Sequence, residues 1–144
     1  MSLEPLPPLV VRRAQPSDLP GIAAVQAVST EAAQWDVHDY LSYDVIVAVC
    51  GDDLAGFAVA RRLAEAEAEL LNLAVHTAYR RRGIGRRLFV ELTSGHPGDL
   101  WLEVRESNAA ARNFYRNLGW KEAGRRPDYY GNSGEPGIVM NFHS

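Results

Sequence analysis

Arginine and glycine are concentrated in one short stretch, YRRRGIGRRL, at residues 79–88. Residues with helical spacing follow, and a helix start leaves backbone N–H groups unpaired and carries partial positive charge. Glycines there let a phosphate approach the backbone closely. Cations are otherwise unfavourable at a helix start, so the arginines indicate a bound anion such as a pyrophosphate. The alternative is a solvated arginine face on an ordinary helix. The residues concerned are Arg80, Arg81, Arg82, Gly83, Gly85 and Arg86.

The stretch does not fit the two commonest nucleotide loops. It lacks the Gly-Lys-Ser/Thr ending of the ATP and GTP loop, and Leu88 stands where a dinucleotide loop has its third glycine. The chain carries a formal net charge of -3, so its arginines are a local concentration in a mildly acidic protein. A nucleic-acid surface is therefore the least favoured interpretation.

Glu103 is the clearest candidate for acid-base chemistry. It lies in the pattern DLWLEVR, which predicts a strand with leucines on one face and Glu103 on the other. A half-buried carboxylate beside a ligand loop is suited to taking a proton, directly or through water. An α-amino group titrates near pH ~8, whereas a lysine amine titrates near ~10.4 and needs a stronger base. The alternative is an exposed ion pair with an arginine such as Arg105.

Cysteine and histidine usage makes a metal site unexpected. Cys50 is the only cysteine, which excludes an internal disulfide and a thiolate cluster and fits a reducing compartment. The histidines have no ligand spacing, so we expect no metal. Cys50 follows the apolar run VIVAV without a histidine nearby in sequence. A buried or turn thiol is therefore favoured over an acyl-carrying nucleophile.

No apolar run is long enough to cross a bilayer, and the opening MSLEPLPP lacks the pattern of a secretory signal. We expect a cytoplasmic protein with no membrane partner. Residues 1–8 are interpreted as a flexible lead-in and residues 9–144 as one domain, because the length suits a single core.

Alternating strands and helices must position these residues. The patterns predict strands at 9–13, 45–49, 54–61, 69–75 and 99–105, with two more around the loop RRPDYYGNSGEPG. They predict a helix within 16–29 capped by Ser17 or Asp18, a helix within 84–94, and one capped by Ser107 or Asn108 and ended by Gly119. Residues 31–43 form a short helix or a structured loop. The fold class is therefore α/β, a mixed sheet with helices on both faces.

Three ordered motifs resemble a known family. LLNLAVHTAYRRRGIGRRL is similar to the acetyl-coenzyme A (acetyl-CoA) loop of the GCN5-related N-acetyltransferases (GNAT), whose arginine and two glycines match Arg80, Gly83 and Gly85. LWLEVRESNAAARNFYRNLGW and RRPDYYG resemble the ribosomal-protein-alanine N-acetyltransferases in particular. The resemblance runs from Leu9 to the end. It implies the GNAT fold, a sheet of about seven strands splayed between the fourth and fifth.

The resemblance also implies how acetyl-CoA would be held. Backbone N–H groups where the fourth strand splays would contact the thioester oxygen, the arginine-glycine turn would bind the pyrophosphate, and Asn108 would contact the pantetheine arm. Asn108 also has the plain interpretation of a helix cap. The residues implied are Leu73, Ala74, Val75, Arg80, Arg81, Arg82, Gly83, Ile84, Gly85, Arg86 and Asn108.

Family positions assign the two proton-transfer roles. The glutamate of the Leu-Glu-Val-Arg stretch, Glu103, serves as base, and Tyr115 serves as the acid that reprotonates the thiolate. The alternative for Tyr115 is a core aromatic beside Phe114. Only one of these two neighbours can face the core fully, because adjacent helical residues point about 100° apart.

The acceptor is implied less directly. Trp35, Tyr129 and Tyr130 match aromatic positions around an acceptor peptide, although Trp35 is equally a candidate core residue. Gln34 departs from the family, which commonly has a proline there. We expect direct attack by the N-terminal amine of a small-subunit ribosomal protein, in particular its alanine, by a monomer or weak dimer. The alternatives are a small amine, a lysine side chain, or a non-catalytic acetyl-CoA-sensing module.

Overall fold

Ten regular elements build the chain in the computed structural model, which describes residues 8–29, 32–127 and 135–143. Their order confirms the predicted alternation of strands and helices. The strands are β1 (Leu9–Arg13), β2 (Asp44–Cys50), β3 (Asp53–Ala64), β4 (Glu67–Val75), β5 (Asp99–Arg105), β6 (Lys121–Arg126) and β7 (Gly137–His143). The helices are α1 (Leu19–Val28), α2 (Ile84–Gly95) and α3 (Ala109–Asn117). Short 3-10 helices cover Pro16–Asp18, Val37–Ser42 and Thr77–Tyr79.

The seven strands of the described residues form one mixed sheet in the order β1-β2-β3-β4-β5-β7-β6. β2 pairs antiparallel with β1 and β3, and β7 pairs antiparallel with β5 and β6. β4 and β5 are parallel, and only residues 67–69 pair with residues 99–101, at the start of both strands. The ladder between these two strands is therefore short. The predicted fold class is confirmed.

The backbone clusters into two compact units, each with its own buried residues. Unit 1 comprises Met1–Ala60 and Asn72–Leu92, and unit 2 comprises Arg61–Leu71 and Thr93–Ser144. Unit 1 buries Val47, Phe57 and Leu88, and unit 2 buries Leu100, Trp120 and Met140, among others. In the described part of the chain, no helix is both long and apolar enough to cross a membrane.

Strands β3 and β4 are both longer than the predicted strands 54–61 and 69–75, and the turn between them shows why. The Ala-Glu repeat extends both strands and leaves only Glu65 and Ala66 as the turn. Its alternation suits a pleated strand, since Ala68 is buried and Glu67 is exposed. The carbonyl oxygen of Ala66 accepts the N–H of Asp99 at 2.9 Å, which fixes the turn against β5.

The start of α1 differs from the predicted side-chain cap. Asp18 occupies the N-cap position, but its side chain makes no capping hydrogen bond to α1. Its carboxylate instead pairs with Arg12 at 2.8 Å and accepts the N–H of Gln15 at 2.7 Å. These contacts lower the pKa of Asp18, chiefly through the hydrogen bond from Arg12. Asp18 therefore fastens the start of α1 to β1.

Candidate functional site

The turn after β4, in unit 1, is held by side chains on either side of it. His76 Nδ1 accepts the N–H of Ala78 at 3.0 Å and begins the short 3-10 helix that follows. Arg80 Nε donates to the carbonyl oxygen of Val75 at 3.2 Å. The turn is thus closed back onto the end of β4.

Helix α2 begins directly after a glycine with left-handed backbone. Gly83 has a φ of +75°, and its carbonyl oxygen accepts the N–H of Arg87 at 3.1 Å. A Cβ on Gly83 would meet no other atom within 4 Å, so glycine is favoured there by its backbone angle and not by lack of space. Ile84 and Gly85 are buried in the first turn. Around Gly83 the helix start is uncrowded, and its first N–H groups have no helical acceptor.

Exposed arginines surround this helix start. Arg81, Arg82 and Arg86 are exposed, and none of the three has an ion pair among residues 8–29, 32–127 and 135–143. The Arg82 guanidinium lies 5.3 Å from the centre of the Tyr79 ring. Cations without carboxylate partners at the positive end of a helix raise the local potential. The arrangement favours an anionic ligand.

The last residues of β4 pack closely on β3. A Cβ on Gly56 of β3 would lie 2.8 Å from the carbonyl oxygen of Ala74 and 3.1 Å from Leu88 Cδ1 of α2. Glycine at position 56 therefore allows β4 and α2 to approach β3. The N–H of Leu73, predicted to face a ligand, donates to Asn72 Oδ1 at 3.0 Å.

A buried hydrogen-bond network joins β4 to α1 and to the segment that follows it. Asn72 Nδ2 lies within hydrogen-bond distance of the carbonyl oxygen of Ala33 (2.9 Å), Tyr40 Oη (3.1 Å) and Gln26 Oε1 (3.2 Å). Tyr40 Oη also donates to Gln26 Oε1. Asn72, Tyr40 and Gln26 are all buried. Because unpaired buried polar groups are costly, these contacts fix three chain segments together.

Trp35 lies on a segment that this network holds. Gln26 Nε2 donates to the carbonyl oxygen of Trp35 at 2.6 Å, and Gln34 Nε2 donates to the carbonyl oxygen of Gln26 at 2.9 Å. The Trp35 residue is 46% exposed, so the alternative of a core tryptophan is wrong, and its role at the acceptor stays a prediction. Tyr129 and Tyr130, the other predicted acceptor residues, lie outside the described residues.

Glu103, in unit 2, is half-buried on β5. Its side chain is 15% exposed, and its Oε1 lies 3.3 Å from Arg126 Nε. Arg105, the partner proposed from the sequence, pairs instead with Glu135 at 3.3 Å. Glu103 therefore forms an ion pair, but its partner is Arg126 of β6 and not Arg105 of its own strand. This ion pair fixes the Glu103 carboxylate on its face of the sheet.

Tyr115 is the buried residue of α3. Its ring centre lies 5.2 Å from that of Phe114 and 5.6 Å from that of Trp120, both in edge-on geometry. Phe114 is only half-buried, so Tyr115 is the member of the adjacent pair that faces the core. Burial raises the pKa of the Tyr115 phenol far above its usual range. The phenol therefore keeps its proton at neutral pH.

Asn108 caps α3, as one of the two sequence interpretations requires. Its Oδ1 accepts the N–H of Ala111 at 3.1 Å. Ser107, the other predicted cap, is hydrogen-bonded to Glu135 instead. The helix ends before Gly119, whose φ of +104° is a left-handed backbone angle.

Cys50 ends β2 as a buried thiol outside any disulfide, which confirms the interpretation that it is a buried or turn thiol. Within the described ranges, no three His, Cys, Asp or Glu side chains are grouped so that they could hold a metal ion.

Sequence reasoning missed the residues that hold the candidate groups in place. Asn72 carried a signal, because it is polar at an inward position of the apolar strand LLNLAV. Gln26 and Tyr40 carried no such signal, since the hydrogen bonds that join them to each other and to Asn72 connect residues 14 to 46 positions apart. Arg126 was not singled out because its pairing with Glu103 depends on the placement of β6.

Comparison with known proteins gives the family. The acetyltransferase (GNAT) family matches residues 15–120. The ribosomal protein bS18-alanine N-acetyltransferase of Salmonella typhimurium is 45% identical over 83 residues, 55% of this chain and 55% of that protein. The N-alpha-acetyltransferase RimI of Mycobacterium tuberculosis is 40% identical over 98 residues, 65% of this chain and 62% of that protein. The chain spans about half the length of the curated relatives it matches.

A solved structure agrees over nearly the whole chain. The ribosomal-protein-S18-alanine N-acetyltransferase from Escherichia coli has a TM-score of 0.80 and 31% identity, covering 93% of this chain and 92% of that chain. The family match spans residues of both units. The chain belongs to the acetyltransferase (GNAT) family.

Proposed function

We propose that the chain is an acetyl-CoA-dependent N-acetyltransferase and that residues 9–144 act as one catalytic domain. The observation that carries the proposal is the start of α2, where Gly83 has left-handed backbone and the exposed Arg81, Arg82 and Arg86 lack carboxylate partners in the described residues. Relatives named as N-acetyltransferases support the reaction class. The single, reduced Cys50 suits action in the cytoplasm.

The residues around the start of α2 fit the pyrophosphate of acetyl-CoA. Phosphate oxygens favour guanidinium groups and the N–H groups of a helix start, and both are present here. We assign Arg81, Arg82 and Arg86 to charge pairing and the first turn of α2 to N–H donation. Ala74 and Val75 are assigned to the thioester oxygen, with Leu73, whose N–H has an acceptor in Asn72, as a weaker candidate. Asn108 is assigned to the pantetheine arm.

Two groups of unit 2 are assigned to proton transfer. Acetyl-CoA supplies the acetyl group as a thioester. Glu103 takes a proton from the acceptor amine at its carboxylate, directly or through water. The Tyr115 hydroxyl donates a proton to the departing thiolate; burial raises the pKa of this phenol, so it carries the proton that this role needs. Direct attack is favoured over a Cys50 acyl intermediate, because that thiol is buried.

The acceptor is proposed to be a protein N-terminal α-amine, in particular the N-terminal alanine of a small-subunit ribosomal protein. The relatives named for ribosomal protein bS18 support this acceptor. We call residues 32–42 the acceptor segment, because it presents the exposed Trp35 side chain. Exposed aromatic side chains supply contact area to a peptide at low entropic cost.

Acetyl-CoA binding to arginine variants tests the cofactor assignment. Arg81→Ala or Arg86→Ala should weaken binding by roughly 10- to 100-fold each, because a hydrogen bond to a charged group contributes about 1.5–3 kcal/mol. Isothermal titration calorimetry measures the dissociation constant. Arg13→Ala is the matched control, since Arg13 is an exposed arginine of unit 1 on β1.

The control should bind acetyl-CoA as the wild type does. If the loop variants also bind normally, the pyrophosphate is held elsewhere. If the wild type shows no binding heat or thermal stabilisation at saturating acetyl-CoA, the proposed function is wrong.

A further inference from the structure

We infer that Asn72 is a positioning residue that couples the acceptor segment to the end of β4. The inference rests on the proposed function and extends it. Asn72 is 6% exposed, and every contact that carries the inference lies within unit 1. The proposed role requires no contact between Asn72 and the acceptor or acetyl-CoA. Its effect passes through the backbone groups that its side chain holds.

Both ends of the Asn72 amide bind backbone. Its Oδ1 accepts the N–H of Leu73 at 3.0 Å, and its Nδ2 donates to the carbonyl oxygen of Ala33 at 2.9 Å. An amide is planar and has one acceptor atom and two donor protons at fixed separation. A displacement of the acceptor segment therefore acts on the strand residues assigned to the thioester, and the reverse holds equally.

Gln26 extends the same network to Trp35. Its Oε1 receives hydrogen bonds from Asn72 and Tyr40, while its Nε2 donates to the carbonyl oxygen of Trp35 at 2.6 Å. The Trp35 backbone is thereby held from the buried side, while its residue remains 46% exposed. The network fixes the backbone from which the indole projects, so it sets where an acceptor contact is presented.

An apolar side chain at position 72 would fill this core position without needing hydrogen-bond partners. The neighbouring inward residues of β4, Leu70 and Ala74, are apolar and buried. Burying an amide costs free energy unless it is fully hydrogen-bonded. The amide here is bonded to backbone in the strand and in the acceptor segment, which is the arrangement that coupling requires.

Hydrogen exchange tests the coupling without any reaction. Asn72→Ala should accelerate exchange both in the acceptor segment and at the Leu73 amide. Tyr40→Phe, which removes one hydroxyl and keeps the ring, should do the same to a smaller extent and is the second variant if Asn72→Ala does not fold. Val47→Ala is the control, because Val47 is a fully buried residue of unit 1 on β2 and carries no polar side-chain group. It should lower the Tm without opening these two segments together.

Steady-state kinetics give the second readout. Asn72→Ala should raise KM for the acceptor peptide and lower kcat, with a combined loss in kcat/KM of up to about 100-fold, as expected for misplaced reacting groups. The KM for acetyl-CoA should change little. In the Asn72→Ala background, Trp35→Ala should have a smaller effect on peptide KM than in the wild type.

A purely structural role predicts a different pattern. Asn72→Ala would then behave like Val47→Ala, with a lower Tm, unchanged KM values and an undiminished effect of Trp35→Ala, and that result would overturn the inference. A wild type that binds acetyl-CoA but acetylates no peptide would contradict the proposed function instead. The exchange measurement would still decide the coupling.

Discussion

At the scale of single residues, two acidic side chains of unit 2 receive different roles from their surroundings. Glu103 is half-buried and ion-paired with Arg126, whereas Tyr115 is buried between aromatic rings. Burial raises the pKa of the Tyr115 phenol, so its proton is retained. A fixed carboxylate and a protonated phenol suit base and acid, respectively.

Removing either of the two proposed proton-transfer groups should slow acetyl transfer. Glu103→Gln and Tyr115→Phe should each lower kcat by roughly 10²- to 10⁴-fold, as for the loss of a general acid or base. The Tyr115→Phe loss should be independent of pH below about 10, because burial holds the folded pKa above the usual value. Pre-steady-state and steady-state rates of peptide acetylation across pH check both variants.

Glu122→Gln is the matched control for the carboxylate, since Glu122 pairs with Arg112 and Arg116 on the surface of unit 2. Its kcat should equal that of the wild type. Retention of full activity by both Glu103→Gln and Tyr115→Phe, with normal acetyl-CoA binding, would show that the assigned roles are wrong.

At the scale of elements, Gly56 lets α2 and the end of β4 pack against β3. The close approach of the Ala74 carbonyl oxygen and Leu88 leaves no room for a methyl group without movement. The start of α2 is assigned to the cofactor. The packing of β3 therefore bears on binding as well as on stability.

Gly56→Ala should reduce the free energy of unfolding by about 1–3 kcal/mol, as expected for overpacking, and should weaken acetyl-CoA binding. Chemical denaturation and calorimetry measure the two effects. Gly124→Ala is the control, because a Cβ on Gly124 of β6 would meet no atom within 4 Å, and its effect should stay within roughly 0.5 kcal/mol. Equal stability of the two variants would contradict the close packing.

Sequence periodicity was sufficient for the order of elements but not for the contacts that hold them. Alternation along β5 predicts that Glu103 lies on the face of the strand opposite to Leu100 and Leu102. The structure confirms this, because both leucines are buried and Glu103 is only half-buried. The Arg126 partner and the Gln26–Asn72 hydrogen bond connect residues distant in sequence. Their existence depends on tertiary packing, which a local pattern does not encode.

At the scale of the whole molecule, the distribution of charge and the family match both favour a small anionic ligand. The chain has a formal net charge of -3, yet exposed arginines collect at one helix start. The GNAT match covers residues 15–120, which include that helix and β5. A local cationic site in an acidic protein suits a cofactor phosphate better than an extended nucleic-acid surface.

Mass spectrometry of an acceptor panel tests the central claim most directly. The protein is incubated with acetyl-CoA and peptides with a free or blocked N-terminus, with and without lysine, alongside small polyamines. We expect one acetyl group on the α-amine of alanine-starting peptides, absent from blocked peptides and reduced in Glu103→Gln. Acetylation only on lysine or polyamines, or on nothing while acetyl-CoA binds, would contradict N-terminal acetyl transfer.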